Sequence, residues 1–179
     1  MATGNRGSIS ASTGDLLRTV TVLVGVLALV AVAINTFMRP EAPERETVDY
    51  ASVLEQVRGE YPYPVVAPNS LPQGWRATSV SHEIDAAGHR WRLGFLIGDH
   101  GFVGLEQTDG EIVSYLADRM SDFTDDGVST VAGDQWERRL QTRQPEDRAL
   151  VRIDDGVVTI VRGTETYEVL EEFAASLEP

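Results

Sequence analysis

The longest uncharged stretch of the chain covers residues 19–38, and most of its 20 residues are apolar. Arg18 precedes this stretch and Arg39 follows it. A helix of this length spans about 30 Å, which is the thickness of the hydrocarbon core of a bilayer. Because backbone amides find no water there, a single segment crosses the core as a helix. The pattern therefore predicts a transmembrane helix at residues 19–38, after a disordered tail at residues 1–18.

A second helical pattern follows a short linker at residues 39–48, which contains two prolines. Apolar residues then recur with the 3.6-residue period of a helix, and this predicts an amphipathic helix at residues 49–59. Residues 61–68 include three prolines. That segment should be extended and should pack along the surface of its own domain. Residues 71–74 (Leu-Pro-Gln-Gly) fit a type I turn with Gly in the fourth position.

From Trp75 onward, short segments with alternating apolar residues predict strands. A helix is predicted at residues 111–121 and an acidic loop at residues 121–127. Asp154-Asp155-Gly156 is typical of a tight hairpin turn, and Thr164 is the predicted N-cap of a terminal helix. The predicted strands are residues 76–84, 90–97, 102–107, 128–131, 135–142, 148–153 and 157–162.

These elements predict an α+β fold, in which helices pack against a mainly antiparallel sheet. The expected organisation is a tail (1–18), a transmembrane helix (19–38), a linker (39–48) and one extracytoplasmic domain (49–179). Within that domain two series of strands and a helix follow one another. Two βββα halves with a common origin are therefore one hypothesis, and coincidence within a small domain is the other.

Charge is distributed unevenly on the two sides of the apolar stretch. Residues 1–39 carry three Arg and one Asp, a net charge of +2, whereas residues 40–179 carry 12 Arg and 27 Asp or Glu, a net charge of −15. Basic residues favour the cytoplasmic side of a membrane helix, which predicts a cytoplasmic N-terminus and a C-terminal domain outside the cytoplasmic membrane. So acidic a domain should repel nucleic acid, and no nucleic-acid partner is expected.

A cleaved signal peptide is the competing interpretation of the apolar stretch. Ala31-Val32-Ala33 offers a site of small residues at which a signal peptidase could cut after Ala33. The apolar run continues beyond this site to Met38, which makes it longer than a typical signal core. We therefore expect a retained anchor, and the domain lies outside the cytoplasm under either interpretation.

The chain contains no cysteine, which excludes disulfides, thiolate metal sites, a thiol nucleophile and lipid attachment to cysteine. No G-x-S-x-G, S-x-x-K or H-E-x-x-H motif occurs. The glycine-rich residues 98–104 fit a hairpin better than a phosphate-binding loop. We therefore predict that the protein is not an enzyme, and we assign no catalytic, cofactor-binding or metal-binding residue and no cofactor.

Several polar clusters are candidate metal sites. Imidazole and carboxylate groups could bind zinc or copper, but their spacing matches no compact metal motif, and surface histidines are the favoured interpretation. The acidic turns lack the ligand pattern of a calcium loop. Trp75, Trp91 and Trp136 are predicted to anchor the core rather than form a ligand cage. The clusters in question are His82, His89 and His100 with Glu83, Asp85 and Asp99; Asp122, Asp125 and Asp126; and Asp154 with Asp155.

The order of short motifs resembles a family of uncharacterised actinobacterial membrane proteins that is defined by a domain of unknown function. The motifs are residues 71–76 (LPQGWR), 93–107, 131–136 (VAGDQW), 148–152 (RALVR) and 161–177. The resemblance implies one N-terminal anchor and a single small extracytoplasmic domain. It implies no activity, ligand or catalytic residue.

The sequence therefore predicts a single-pass membrane protein whose domain acts as a binding or accessory module. The expected partner is another envelope or membrane protein. The alternative is a carrier or sensor of a small ligand or lipid, with a pocket between the sheet and the helices.

Overall fold

A seven-stranded antiparallel sheet lies at the centre of the domain. The computed structural model of the protein describes residues 47–143 and 146–179, together with Val24. In their side-by-side order, the strands are β2 (Trp75–Asp85), β3 (Gly88–Ile97), β4 (Gly101–Thr108), β8 (Val157–Gly163), β7 (Asp147–Asp154), β6 (Asp134–Gln141) and β5 (Thr124–Val131).

Each face of the sheet buries a separate apolar cluster, because successive side chains of a strand point to opposite sides. Face A carries the larger cluster, which includes Trp91, Phe95 and Leu105. Face B carries a smaller cluster, which includes Val151 and Ile160. With both faces partly covered, the central strands are buried on both sides.

Three helices cover these faces. Helix α1 (Ala51–Glu60) and helix α3 (Tyr167–Ala175) bury Leu54, Val57, Leu170 and Phe173 in the face A cluster. Helix α2 (Ile112–Arg119) places Tyr115 and Leu116 against the face B cluster. A second, two-stranded sheet pairs β1 (Ala67–Pro68) with β9 (Leu177–Glu178). That short pairing holds the end of the chain beside the proline-rich segment.

The α+β class and the mainly antiparallel sheet are confirmed, and the strand and helix order contains the two predicted series. Strands β2–β4 precede α2, strands β6–β8 precede α3, and β4 pairs with β8 where the two series meet. However, α2 packs on face B and α3 on face A. A two-fold axis perpendicular to the sheet, between β4 and β8, would relate the two sets of three strands, but it would place both helices on the same face. The two series therefore do not superimpose as whole βββα units.

Three local predictions were wrong. The turn after Leu71 spans Pro72–Trp75, where Trp75 N donates to Pro72 O and Gly74 is the third residue with φ +85°. The acidic loop is shorter than predicted, because β5 begins at Thr124 and its acidic residues form a bulge. The N-cap of α3 is Thr166, whereas the hydroxyl of Thr164 accepts a hydrogen bond from Phe102 N.

The predicted transmembrane helix and the predicted tail lie outside the described residues, apart from Val24. Among the residues that the structure describes, no helix is long and apolar enough to cross a membrane. Glu46–Pro179 forms one compact unit.

Candidate functional site

The three histidines do not come together. His89 and His100 lie near opposite ends of β3, and His100 is in the turn that follows the strand. His89 has a structural partner instead, because its Nδ1 lies 2.8 Å from Asp109 Oδ2 and its backbone N donates to Asp109 Oδ1. Within residues 47–143 and 146–179, no group of three or more His, Asp or Glu is placed to hold a metal ion.

The acidic turns are held by arginines and by their own backbone. Asp125 Oδ1 accepts from Gly127 N and stabilises the bulge of β5. Asp122 forms an ion pair with Arg143. Exposed pairs of this kind contribute little to stability. Asp122 lies in a turn, whereas Asp125 and Asp126 lie in β5.

All three tryptophans pack in or against the face A cluster, as predicted. Trp91 is fully buried and its Nε1 donates to Val66 O. Trp75 stacks on Phe173 with ring centroids 5.5 Å apart. Trp136 is also part of the face A cluster and 4 % exposed, and it lines a cleft on that face.

This face A cleft has a volume of about 500 Å³ and lies between the proline-rich segment, the end of α3 with β9, and strands β6–β8. Its volume falls within the range of small-molecule sites in proteins. Its lining combines apolar side chains with one arginine and three aspartates. The lining residues are Pro62, Tyr63, Pro64, Val66, Gln107, Val131, Ala132, Asp134, Trp136, Arg152, Asp154, Asp155, Val157, Thr159, Ala174, Ala175, Leu177 and Pro179.

One wall of the cleft is fixed by a buried glutamine. Gln107 is 3 % exposed, and its Oε1 accepts from Val66 N at 2.8 Å. Its Nε2 donates to Pro64 O at 3.4 Å and to Thr159 Oγ1 at 3.3 Å. Because prolines 62 and 64 have no N–H of their own for a ladder, this side chain supplies one of the links between the segment and the sheet, beside the bond from Trp91 Nε1 to Val66 O.

Replacing Gln107 with leucine should therefore loosen that wall. The amide of Val66 would lose its buried acceptor, which costs about 1–3 kcal/mol of unfolding free energy. Native-state hydrogen exchange should accelerate at Val66. The matched control is Gln135→Leu at an exposed site on β6; equal exchange at Val66 in both variants would contradict the role of Gln107.

The charged side of the cleft consists of Arg152 and three aspartates. Arg152 forms ion pairs with Asp134 and with Asp154, the latter at 2.8 Å. Asp155 occupies the hairpin turn after β7 with φ +46°, which aspartate tolerates in tight turns. Three carboxylates against one guanidinium give this side a net charge of −2.

A buried ion cluster lies on face B, away from the cleft. Glu106 is 5 % exposed, and its Oε2 accepts from Arg119 Nε and from Tyr115 OH, each at 2.8 Å. Arg162 Nε lies 3.5 Å from Oε1. Burial alone would raise the pKa of Glu106, but the hydrogen bonds and charges of these neighbours outweigh it and lower the pKa. Burial and the charge of Glu106 raise the pKa of the Tyr115 hydroxyl.

This cluster attaches α2 to the sheet. The carboxylate of Glu106 accepts hydrogen bonds from Tyr115 and Arg119, both on α2. These bonds hold a helix that has no fully buried side chain. The sequence signal for it was a glutamate directly after the apolar residues of β4. We interpret the cluster as structural.

The sequence predicts a pocket between the sheet and the helices only as an alternative, and it marks none of the residues that line the cleft. Gln107 and Arg152 come from different strands, so no spacing in the sequence marks them as neighbours. The available signal was the alternating tyrosines and prolines of residues 61–64, of which Pro62, Tyr63 and Pro64 form part of the wall.

The profile of a family described as "Protein of unknown function (DUF4245)" matches residues 9–177. That match spans nearly the whole chain, including the domain that carries the face A cleft. Comparison with curated proteins and with solved structures yields no match. The chain belongs to the DUF4245 family.

Proposed function

We propose that the protein is a non-enzymatic binding module whose ligand site is the face A cleft. The observation that carries this proposal is a cleft of about 500 Å³ whose lining combines apolar side chains with one arginine and three aspartates. Such a combination is typical of small-molecule sites, where apolar contacts supply affinity and a few polar groups supply orientation. The same observation favours a carrier or sensor over a purely structural domain.

We also propose that residues 19–38 hold this module at the outer side of the cytoplasmic membrane of an actinobacterium. The uncharged length of this segment, the basic residues before it and the lysine-free composition support the proposal. Sequencing the N-terminus of the mature protein from membranes tests retention: a start at Ile34 would mean cleavage after Ala33. Because the chain has no cysteine, a single Ala175→Cys variant can also be labelled from outside intact cells to test orientation.

A fluorine reporter can test the cleft directly. Ala175 is exposed and lines the cleft, whereas Ala51 is exposed at the start of α1 and does not line it. Each residue is changed to cysteine in the full chain, labelled with a trifluoromethyl group and screened by ¹⁹F NMR against a library of small molecules. Ligands of the cleft should move the signal at position 175 and leave that at position 51 unchanged.

Filling the cleft should abolish those responses. Val157 is half-buried in its lining, and Val157→Trp adds a ring to the space that a ligand would occupy. We expect affinities to fall at least about tenfold, since a loss of about 1.4 kcal/mol of binding free energy lowers the affinity by that factor. The matched control is Val113→Trp on α2. If hits bind Val157→Trp as tightly as the control, the cleft is not the site.

Engagement of another membrane or envelope protein is the second candidate function. It is favoured by apolar side chains that are exposed on the face B side of the domain. Val113 is 74 % exposed, Val128 58 % and Ile153 50 %. A partner recovered in mild detergent that is lost with Val113→Glu but retained with Val157→Trp would support this function, and recovery of the free protein alone would count against it.

A further inference from the structure

We propose that the face A cleft selects an organic cation with an apolar body, such as an amine attached to a phenyl or short alkyl group. This inference rests on the proposed function, because it names the ligand class of the same cleft. Two independent features of the cleft carry it: the apolar side chains of its lining and the unbalanced charge along one side.

The apolar part of the lining suits an apolar group. Trp136, Val131 and Val157 contribute apolar surface there. Trp136 is almost fully buried, and the Arg152 guanidinium lies over its ring, 5.7 Å from the ring centroid. The apolar surface of these side chains therefore favours the apolar body of a ligand, and the sign of its charge depends on the carboxylates nearby.

The charged side of the cleft determines the sign of the ligand. Arg152 is already engaged by Asp134 and Asp154. Asp155 is exposed, and no basic side chain of the described residues lies within ion-pair distance of it. A bound cation would partly neutralise the net charge of −2. An anion would be repelled by that charge and by the net negative charge of the domain.

Three probes with one carbon skeleton isolate the effect of charge: 4-phenylbutylamine, 4-phenylbutanol and 4-phenylbutyrate. Each is titrated into the full chain in nanodiscs of zwitterionic lipid, with the ¹⁹F label at Ala175→Cys as reporter and the label at Ala51→Cys as background. We expect the amine to bind at least about tenfold more tightly than the butyrate, with the alcohol between them. Raising NaCl from about 0.05 M to about 0.5 M should reduce this difference.

Asp155→Asn is the variant that tests the source of this preference. Asparagine accepts the left-handed backbone of the turn as readily as aspartate, so the hairpin should persist. Amine affinity should fall about threefold, as expected for one unit charge about 6 Å away in water, and alcohol affinity should not change. The matched control is Asp118→Asn on α2, which faces the other side of the sheet and should leave both affinities unchanged.

The outcomes separate the ligand class from the site. Binding of the alcohol at position 175 with no preference for the amine, or equal effects of Asp155→Asn and Asp118→Asn, would overturn the cation proposal and leave the cleft as a binding site. Failure of all three probes to move the signal would also overturn it. The proposed function is then decided by the library screen and by Val157→Trp.

Discussion

Replacing Gly163 with alanine should destabilise the domain by about 3 kcal/mol. A Cβ atom built at this position would lie 2.0 Å from the carbonyl oxygen of Phe102 and 3.0 Å from its carbonyl carbon. Both contacts are with backbone, so no side chain can rotate away to relieve them. Gly163 also pairs with Val103 on one side and with Arg148 on the other. Relief would therefore require the central strands β4 and β8 to separate.

Urea unfolding of the full chain measures this effect, with the same substitution at Gly59 as control. A Cβ at Gly59 would meet nothing within 4 Å, and this glycine lies inside α1. Alanine there should raise the unfolding free energy by about 0.5–1 kcal/mol, because it reduces the freedom of the unfolded chain. Gly163→Ala with unchanged stability would mean that β4 and β8 are not packed as described.

Replacing Glu106 with glutamine should cost about 3 kcal/mol of unfolding free energy. The variant would leave Arg119, a half-buried guanidinium, without its carboxylate partner and would set an amide N–H₂ against it. Loss of one partner of a buried ion pair costs more than the pair itself contributes, because the remaining charge is left uncompensated. The matched control is Glu137→Gln, whose exposed pair with Arg139 should contribute less than about 1 kcal/mol.

The same residue makes stability depend on pH. Since the folded pKa of Glu106 lies below the ordinary value, the carboxylate contributes its full stabilisation above the pKa of an unfolded glutamate. The contribution is lost as the pH falls through that value towards the folded pKa. Unfolding free energy should therefore fall below about pH 5, and it should fall less steeply in Glu106→Gln. Parallel curves for the two proteins would contradict a lowered pKa at Glu106.

The alternation of apolar and polar residues predicted most strands of the sheet, because a strand with one buried face keeps this alternation in its sequence. The strand at residues 90–97 and the hairpin at Asp154–Gly156 are examples, and both are confirmed within a residue or two. Prediction was wrong at residues 124–127, where β5 is an edge strand with a bulge. An edge exposes its polar side chains, so acidic residues there resemble a loop.

Tertiary pairing explains what the sequence could not predict. Strand β1 pairs with β9, and Ala67 lies opposite Glu178. Each of these strands has only two residues, which is too short for an alternating pattern to mark it in the sequence. The cleft depends on that pairing and on Gln107, which bonds to Pro64 and Val66 from a distant strand. A cleft could be predicted from the packing of helices on a sheet, but the residues that line it could not.

The most direct test of a ligand site on face A is methyl NMR of the full chain in nanodiscs. Methyl groups of Val131, Val157 and Leu177 report on the cleft, whereas those of Leu116 and Val151 report on face B. On addition of 4-phenylbutylamine or of hits from the library, we predict shifts in the first group and none in the second. Shifts confined to the second group, or an unchanged spectrum of the folded protein with every compound, would contradict the proposed function.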